Sequence, residues 1–258
     1  MIIIGIMAKS GTGKSTVINN LCENNLIYHN VKSYTTRAVR VSDPNDALTH
    51  VFVDNNFWEK QKENAWAVYK DKLNKYISWT DKSSFNDYKI NLYAIDSKSF
   101  KKLSSKNKDT FGIYLELDEE DRKERIENRG GKYNIEYHLS PDYIFDCQNK
   151  VIINITGKTV EEVAEMIELS INTYLSVKGY TIVNGVLCKE CNRILLTRNR
   201  HDFNTCSKCH NTFVDGGFEY IRYGGESLKE DGVELYPVVI KRKISDILGE
   251  KIDNQIQL

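Results

Sequence analysis

The sequence predicts an α/β protein, with a three-layer α/β/α domain around a mainly parallel sheet and a small β-rich domain after it. Apolar runs typical of buried strands alternate with segments of helical periodicity in the first part of the chain. The first run, Ile2 to Ile6, leads directly into a glycine-rich turn. Four later cysteines form two CxxC pairs, which indicate a compact metal-binding module. We expect the two domains to cover residues 1–176 and 177–258.

Length and composition set broad limits on function. A chain of 258 residues with 40% hydrophobic content can bury one large core and a smaller one. The formal net charge is zero, so overall charge gives no argument for nucleic acid, a membrane surface or an acidic partner. The chain starts without a basic leader or cleavage site, and no apolar run approaches the length of a membrane span. We therefore expect a cytoplasmic protein with no membrane partner.

Residues 8–16, AKSGTGKST, predict a phosphate-binding loop that opens a helix. Gly11 and Gly13 let backbone N–H groups turn towards phosphate oxygens, Lys14 can reach the outer phosphates, and Ser15 would hold Mg²⁺. Ala8 stands where glycine is usual, so the match is AxxxxGKS. The plainer alternative is a glycine-rich turn. The residues expected to bind the nucleotide are Ser10, Gly11, Thr12, Gly13, Lys14, Ser15 and Thr16.

A second motif, VKSYTTRAVR, spans Val31 to Arg40. Its two arginines, Arg37 and Arg40, are three residues apart among hydroxyl side chains. Guanidinium groups bind phosphate oxygens in pairs, and hydroxyls add hydrogen bonds, so this composition suits a phosphate monoester. An ordinary solvated turn is the alternative.

The succession of GTGKST and SYTTRxxR resembles the guanylate kinases, a family of P-loop nucleoside monophosphate kinases, over roughly Met1 to Leu175. The resemblance implies a P-loop NTPase fold and transfer of a phosphoryl group from ATP, with Mg²⁺, to a nucleoside monophosphate. It also implies that Ser33, Arg37, Arg40 and Tyr76 hold the acceptor phosphate.

Two departures from the family concern the base. The carboxylates with which guanylate kinases recognise guanine align with Val68 and Ala94, and neither side chain can accept a hydrogen bond. The acceptor is therefore open between a nucleoside monophosphate, a modified nucleotide and another phosphomonoester such as a sugar phosphate. A non-catalytic binding module is a further alternative. Retention of the loop and both arginines argues against it.

Asp96 ends the apolar run NLYAID, and kinases of this class place an acid near Mg²⁺ at such a point. The alternative is a helix N-cap for the segment that follows it. The resemblance also implies that Asn154, at the end of the strand KVIIN, faces the ATP base.

The segment from Asp118 to Gly131 predicts a helix, and the resemblance implies that this helix leads into a lid. The resemblance implies that Arg125 and Arg129 meet the transferring phosphoryl group, where mobile arginines can close over developing charge. Complementing the helix C-terminus is the alternative role for both arginines. The expected catalytic residues are Lys14, Arg37, Asp96, Arg125 and Arg129.

Four cysteines, Cys188, Cys191, Cys206 and Cys209, have the spacing of a zinc ribbon with one structural Zn²⁺. Between the pairs lie basic residues and Phe203, with Phe213 close by. Such a patch can contact nucleic acid, but it is more often a solvated face, and a nucleic-acid partner is not favoured.

The C-terminal part also gives local predictions. Gly179 to Gly185 is the expected linker, Phe218 to Tyr223 and Val233 to Ile240 are expected strands, and a short helix is expected from Lys241 onwards.

Overall fold

The computed structural model describes residues 1–39, 46–71, 75–128, 150–197, 201–216, 220–225, 233–241 and 255–257. The chain divides into two compact units, Met1–Asn172 and Thr173–Leu258. The expected domains, 1–176 and 177–258, remain a prediction. Within the described residues, no helix has both the length and the apolar character needed to cross a bilayer.

The first unit alternates strands and helices. Its elements are β1 (Ile2–Met7), α1 (Lys14–Asn24), β2 (Tyr28–Asn30), β3 (Ser33–Thr35), α2 (Asp46–Thr49), β4 (His50–Phe52), α3 (Asn55–Gln61), β5 (Ala67–Lys70), β6 (Ile77–Thr80), β7 (Ile90–Ala94), α4 (Ser97–Lys106), β8 (Thr110–Glu116), α5 (Glu119–Asn128) and β9 (Lys150–Asn154). Helix α6 (Val160–Lys178) follows, and the boundary between the two units falls within it.

The main sheet of this unit has five strands in the order β2-β7-β1-β8-β9, and every pairing in it is parallel. The predicted mainly parallel α/β fold is confirmed. The isoleucine-rich strand β1 is buried along its whole length because it is the central strand, with Ile4 beside Leu92 of β7 and Phe111 of β8. The strands on one side of β1, β2 and β7, come earlier in the chain than those on its other side, β8 and β9. The carboxyl end of β1 therefore borders the point where strand order reverses, which is where α/β sheets bind ligands.

A second sheet of four strands has the order β4-β3-β6-β5. Side chains alternate between its faces, so Tyr34 and Trp79 share one face and contact Phe57 of α3 at ring distances of 5.4 and 6.2 Å. The opposite face bears hydroxyls and small side chains. Its residues are Ser33, Thr35, Ala67, Tyr69, Ser78 and Thr80.

The second unit is rich in β-structure. Its strands are β10 (Tyr180–Cys188), β11 (Arg193–Thr197), β12 (Asn204–Thr205), β13 (Phe213–Gly216), β14 (Ile221–Gly224), β15 (Val233–Leu235), β16 (Val238–Lys241) and β17 (Gln255–Gln257). The order β15-β10-β11-β17 forms one sheet, β16 pairs with the first half of β10, and β12-β13-β14 form a three-stranded sheet.

Two local predictions for this unit are wrong. The expected linker at Gly179 to Gly185 lies almost entirely in β10, because Tyr180, Ile182 and Val183 favour a strand over a flexible connection. The expected C-terminal helix is contradicted at Gln255–Gln257, which pair with β11 as a strand. The strands expected within Val233 to Ile240 are present as β15 and β16. Ile221–Gly224 forms β14, whereas the first residues of the predicted strand lie outside the described part of the chain.

Candidate active site and metal centre

The phosphate-binding loop connects β1 to α1. Gly11 and Gly13 have φ angles of 87° and 101°, a left-handed conformation that glycine adopts without steric cost. Gly13 is also the N-cap of α1 and, having no side chain, makes no side-chain capping bond. Backbone N–H groups in the first turn of α1 are thus left for an anion, which the positive end of the helix dipole also attracts.

Lys14 folds back across this loop. Its Nζ donates to the Ala8 carbonyl at 2.8 Å and to the Lys9 carbonyl at 3.4 Å. The Thr12 hydroxyl donates to the same Lys9 carbonyl at 2.8 Å, and Thr12 is buried. Ala8, which stands where glycine is usual, binds Lys14 through its backbone carbonyl, and this contact does not depend on the side chain. Ser15 and Thr16 lie in the first turn of α1, and Ser10 is exposed in the loop.

Helix α5 packs directly against the loop. A Cβ atom on Gly11 would lie 2.7 Å from Cγ1 of Ile126, so the helix fits only against a glycine. Arg125 Nη1 donates to the Thr12 carbonyl at 3.2 Å, which brings this predicted residue to the loop. Arg122, one turn earlier, is 1% exposed and ion-paired with Glu119. Arg129 lies outside the described residues.

Asp96 follows β7 on the strand beside β1. The Ile95 amide donates to the Ile6 carbonyl at 3.2 Å. Asp96 therefore lies at the same edge of the sheet as the phosphate-binding loop, which follows β1. Its Oδ1 accepts from the backbone amides of Lys98 and Ser99 at 3.0 Å each. Asp96 is therefore the N-cap of α4, the alternative that the sequence left open. Its role near Mg²⁺ remains a prediction.

The acceptor-side arginine has a partner that the sequence analysis missed. Arg37 forms two hydrogen bonds with the Asp46 carboxylate, at 2.6 and 3.0 Å, and lies over the Phe52 ring at 5.6 Å from its centroid. His50 Nδ1 is 3.5 Å from the same carboxylate. No sequence motif marks Asp46, which stands nine positions after Arg37 in the sequence. Arg40 lies outside the described residues.

Ser33 points into the interior of the unit. Its hydroxyl donates to the Tyr93 hydroxyl at 3.2 Å, and Thr80 donates to the same oxygen at 3.5 Å. Burial raises the pKa of Tyr93, which keeps this hydroxyl neutral. Ser33 is 7% exposed and Tyr93 is 5% exposed. The Ser33 side chain, which the resemblance assigns to the acceptor phosphate, is thus hydrogen-bonded to other side chains inside the protein.

Three other positions complete the predicted set. Val68, aligned with a base-reading carboxylate, shares the aromatic face of the second sheet, while Ala67 shares the hydroxyl face. The Tyr76 ring lies 6.0 Å from the Tyr69 ring. Asn154 Oδ1 accepts from the Thr156 amide at 2.9 Å in the turn after β9, so its contact with an ATP base remains a prediction.

The four clustered cysteines lie together in the second unit. The sulfurs of Cys188, Cys191, Cys206 and Cys209 are all within 4.8 Å of one another, and none of the four forms a disulfide. Cys188 Sγ and Cys209 Sγ are 3.6 Å apart. A tetrahedral zinc site with bonds of about 2.3 Å separates its sulfurs by about 3.8 Å, so this arrangement fits Zn²⁺. The group is a possible metal site formed by two turns, one after β10 and one after β12.

Hydrogen bonds stabilise the sulfurs. The Thr212 hydroxyl donates to Cys188 Sγ at 3.2 Å, and the Asn211 amide donates to Cys209 Sγ at 3.4 Å. Burial tends to raise the pKa of Cys206, but hydrogen bonds from the backbone amides of Cys209 and Lys208, together with those from the Cys209 and Cys191 side chains, lower it to about 7. Such donors compensate negative charge on thiolate ligands, as outer-shell groups of metal sites do.

Comparisons with known proteins give similarity of fold at low identity. The structure is similar to a guanylate kinase from Anaplasma phagocytophilum, with 19% identity, a TM-score of 0.46 and coverage of 67% of this chain and 85% of that chain. It is similar to a sugar kinase from Janibacter sp. HTCC2649, with 14% identity, a TM-score of 0.41 and coverage of 67% of this chain and 95% of that chain. A gluconokinase from Sinorhizobium meliloti 1021 matches with 14% identity, a TM-score of 0.39 and coverage of 68% and 97%.

Sequence comparisons add one match. A family model described as a domain of unknown function, DUF7695, matches residues 181–225, the part that holds the cysteine cluster. No curated protein matches the chain. The strand order and the loop after β1, together with the four close cysteines, thus identify a P-loop α/β fold followed by a β-rich unit with a possible metal site.

Proposed function

We propose that the first unit transfers the γ-phosphoryl group of ATP to a nucleoside monophosphate or another small phosphomonoester. The observation that carries this proposal is the loop after β1. Its two left-handed glycines, its helix N-terminus without a side-chain cap and the ammonium of Lys14 lie together at the carboxyl end of the central strand. This combination suits a chain of phosphates.

On the donor side, the loop amides and Lys14 would bind the ATP phosphates. When the nucleotide arrives, the Lys14 ammonium exchanges the Ala8 and Lys9 carbonyls for phosphate oxygens. The Ser15 hydroxyl and the Asp96 carboxylate would hold Mg²⁺, which when bound neutralises phosphate charge. Arg125 already contacts the loop through Thr12, so it can reach the oxygens on which charge develops.

On the acceptor side, Arg37 would bind the acceptor phosphate with Arg40. Arg37 is paired with Asp46 before a ligand binds. The acceptor phosphate would therefore either share the guanidinium group with the Asp46 carboxylate or displace that carboxylate. The Arg37 side chain is 11% exposed, which leaves one edge of it for a ligand. Phosphoryl transfer in such a site depends on positioning and charge neutralisation, which these residues supply.

A sugar phosphate is the second candidate acceptor, and the Ser33–Tyr93 contact favours it. Ser33 and Thr80 are both buried on the hydroxyl-bearing face of the second sheet, and both donate to the Tyr93 hydroxyl. Their hydroxyls are used within the protein, which reduces the polar groups left to recognise a nucleobase. A compact acceptor such as a sugar phosphate would need few contacts beyond the one between its phosphate and Arg37.

We also propose that the four cysteines bind one structural Zn²⁺. Four sulfur ligands complete a tetrahedral shell and leave no open position for a substrate. The metal would hold the turns around Cys188 and Cys206 together in a small unit.

Acceptor screening tests the proposed activity. The protein is mixed with ATP, Mg²⁺ and, one at a time, each ribo- and deoxynucleoside monophosphate and a set of sugar phosphates, and ADP release is followed. We expect one acceptor class to stimulate ADP formation. Lys14→Ala should abolish turnover while the protein remains folded, whereas Lys62→Ala, which changes an exposed lysine paired with Glu59, should leave turnover unchanged. Full activity of Lys14→Ala would refute the proposal.

A further inference from the structure

The three-stranded sheet β12-β13-β14 presents an aromatic surface. Phe203 is 60% exposed, and its ring stacks on Phe213 with centroids 5.5 Å apart and an interplanar angle of 27°. Exposed apolar side chains that lie together, unlike single ones, often mark an interaction site. This pair forms a flat, accessible platform on the second unit.

Arg222 and a further aromatic ring continue the platform. Arg222 lies over the Tyr220 ring at 5.5 Å, and the Tyr220 hydroxyl is 2.7 Å from Nδ1 of His201. Arg222 is directly opposite Asp215 on the neighbouring strand, and Asp215 shares the Phe213 face because the two are separated by one residue. Phe203, Phe213, Tyr220 and Arg222 therefore form one continuous surface, which we call the stacking surface.

The segment that contains this surface has a small excess of positive charge in its sequence. Residues 181–225 contain six lysines and arginines against four aspartates and glutamates, whereas the whole chain has 36 of each kind. Positive charge beside exposed rings is the composition that binds single strands, because phosphates need cations and unpaired bases need flat partners.

We propose that the stacking surface binds single-stranded nucleic acid, with a base on Phe203 and a phosphate at Arg222. A protein partner of ordinary apolar character is less well matched. Among the described residues of this face, the large apolar side chains are rings rather than aliphatic groups. A duplex is a poor ligand because its bases are already stacked and their faces are covered. This inference is independent of the proposed kinase activity.

Fluorescence anisotropy of the full chain with oligouridine and oligodeoxythymidine of about 12 nucleotides tests the proposal. We expect binding of one or both single strands, weaker binding of a duplex of equal length, and loss of affinity as salt rises from about 50 to 200 mM. Phe203→Ala should weaken binding about five- to a hundredfold. Arg222→Ala should weaken it and reduce the salt dependence.

Two controls make the result specific. Tyr223 pairs with Val214 across the strands and so lies on the other face of the same sheet, where it is 40% exposed. Tyr223→Ala should therefore leave binding unchanged. Binding should also persist in Lys14→Ala and in the presence of ATP, which separates this surface from the phosphate loop. Absence of oligonucleotide binding, equal affinity for the duplex, or unchanged affinity of a folded Phe203→Ala variant would each overturn the proposal. Failure of kinase activity alone would not.

Discussion

The Arg37 guanidinium and the Asp46 carboxylate form a bidentate pair in which the Asp46 side chain is only 3% exposed. Because both ions are largely removed from water, each depends on the other for compensation of its charge. The residue proposed to bind the acceptor phosphate is therefore oriented, and partly neutralised, by an acid that no motif revealed.

Removing this acid should destabilise the protein. We expect Asp46→Ala to lower the free energy of unfolding by about 3–5 kcal/mol, since it leaves Arg37 buried without its counter-ion. Urea denaturation measures the change. Glu59→Ala, which breaks the exposed pair with Lys62, is the control and should leave stability unchanged within error. Equal stability of the two variants would show that the buried pair contributes nothing.

Gly11 offers a test of the contact between the loop and α5. Gly11→Ala should cost about 2–4 kcal/mol, because a Cβ atom both strains a left-handed residue and meets Ile126. Gly157 is the matched control, with a φ of 70° and open space around its Cβ position. Gly157→Ala should cost about 1 kcal/mol. Thermal unfolding of both variants isolates the packing contribution. Similar losses would contradict close packing at Gly11.

Metal content tests the cysteine cluster. Purified protein should contain about one zinc ion per chain by elemental analysis, and Cys206→Ser should reduce that content sharply. Cys22→Ser is the control, because Cys22 lies in α1 and burial raises the pKa of its thiol to about 12. A chelator should increase hydrogen exchange in β13. Metal-free protein with unchanged exchange would rule out a structural zinc.

His29 gives stability a pH dependence. Burial lowers its pKa below 6.5, Lys89 and Lys32 act in the same direction, and the bond from its Nε2 to the Ser84 carbonyl at 3.2 Å opposes them. Below pH 6.5 the unfolded chain binds a proton that the folded chain resists, so stability falls as the pH is lowered through this range. Melting curves between about pH 5 and 7.5 should show this slope, and His29→Gln should flatten it. An unchanged slope in the variant would exclude His29 as its source.

The sequence predicted those features that depend on local pattern. The apolar run of β1, the glycines of the loop and the spacing of the four cysteines each determine a structure over a few residues. Contacts across the chain could not be read in this way. The Asp46 partner of Arg37, the Tyr93 partner of Ser33 and the stacking of Phe203 on Phe213 arise only when distant segments meet. The strand at Gln255–Gln257 was missed for the same reason, because pairing with β11 overrides a weak local preference.

The central position of β1 also has a consequence for biosynthesis. Strand Ile2–Met7 is synthesised before both of its neighbours in the sheet, which begin at Ile90 and Thr110. At elongation rates of about 5–20 residues per second, this apolar strand waits several seconds for the segments that bury it. During that interval the nascent chain exposes its most hydrophobic segment without a partner, so productive folding should depend on early shielding by a chaperone.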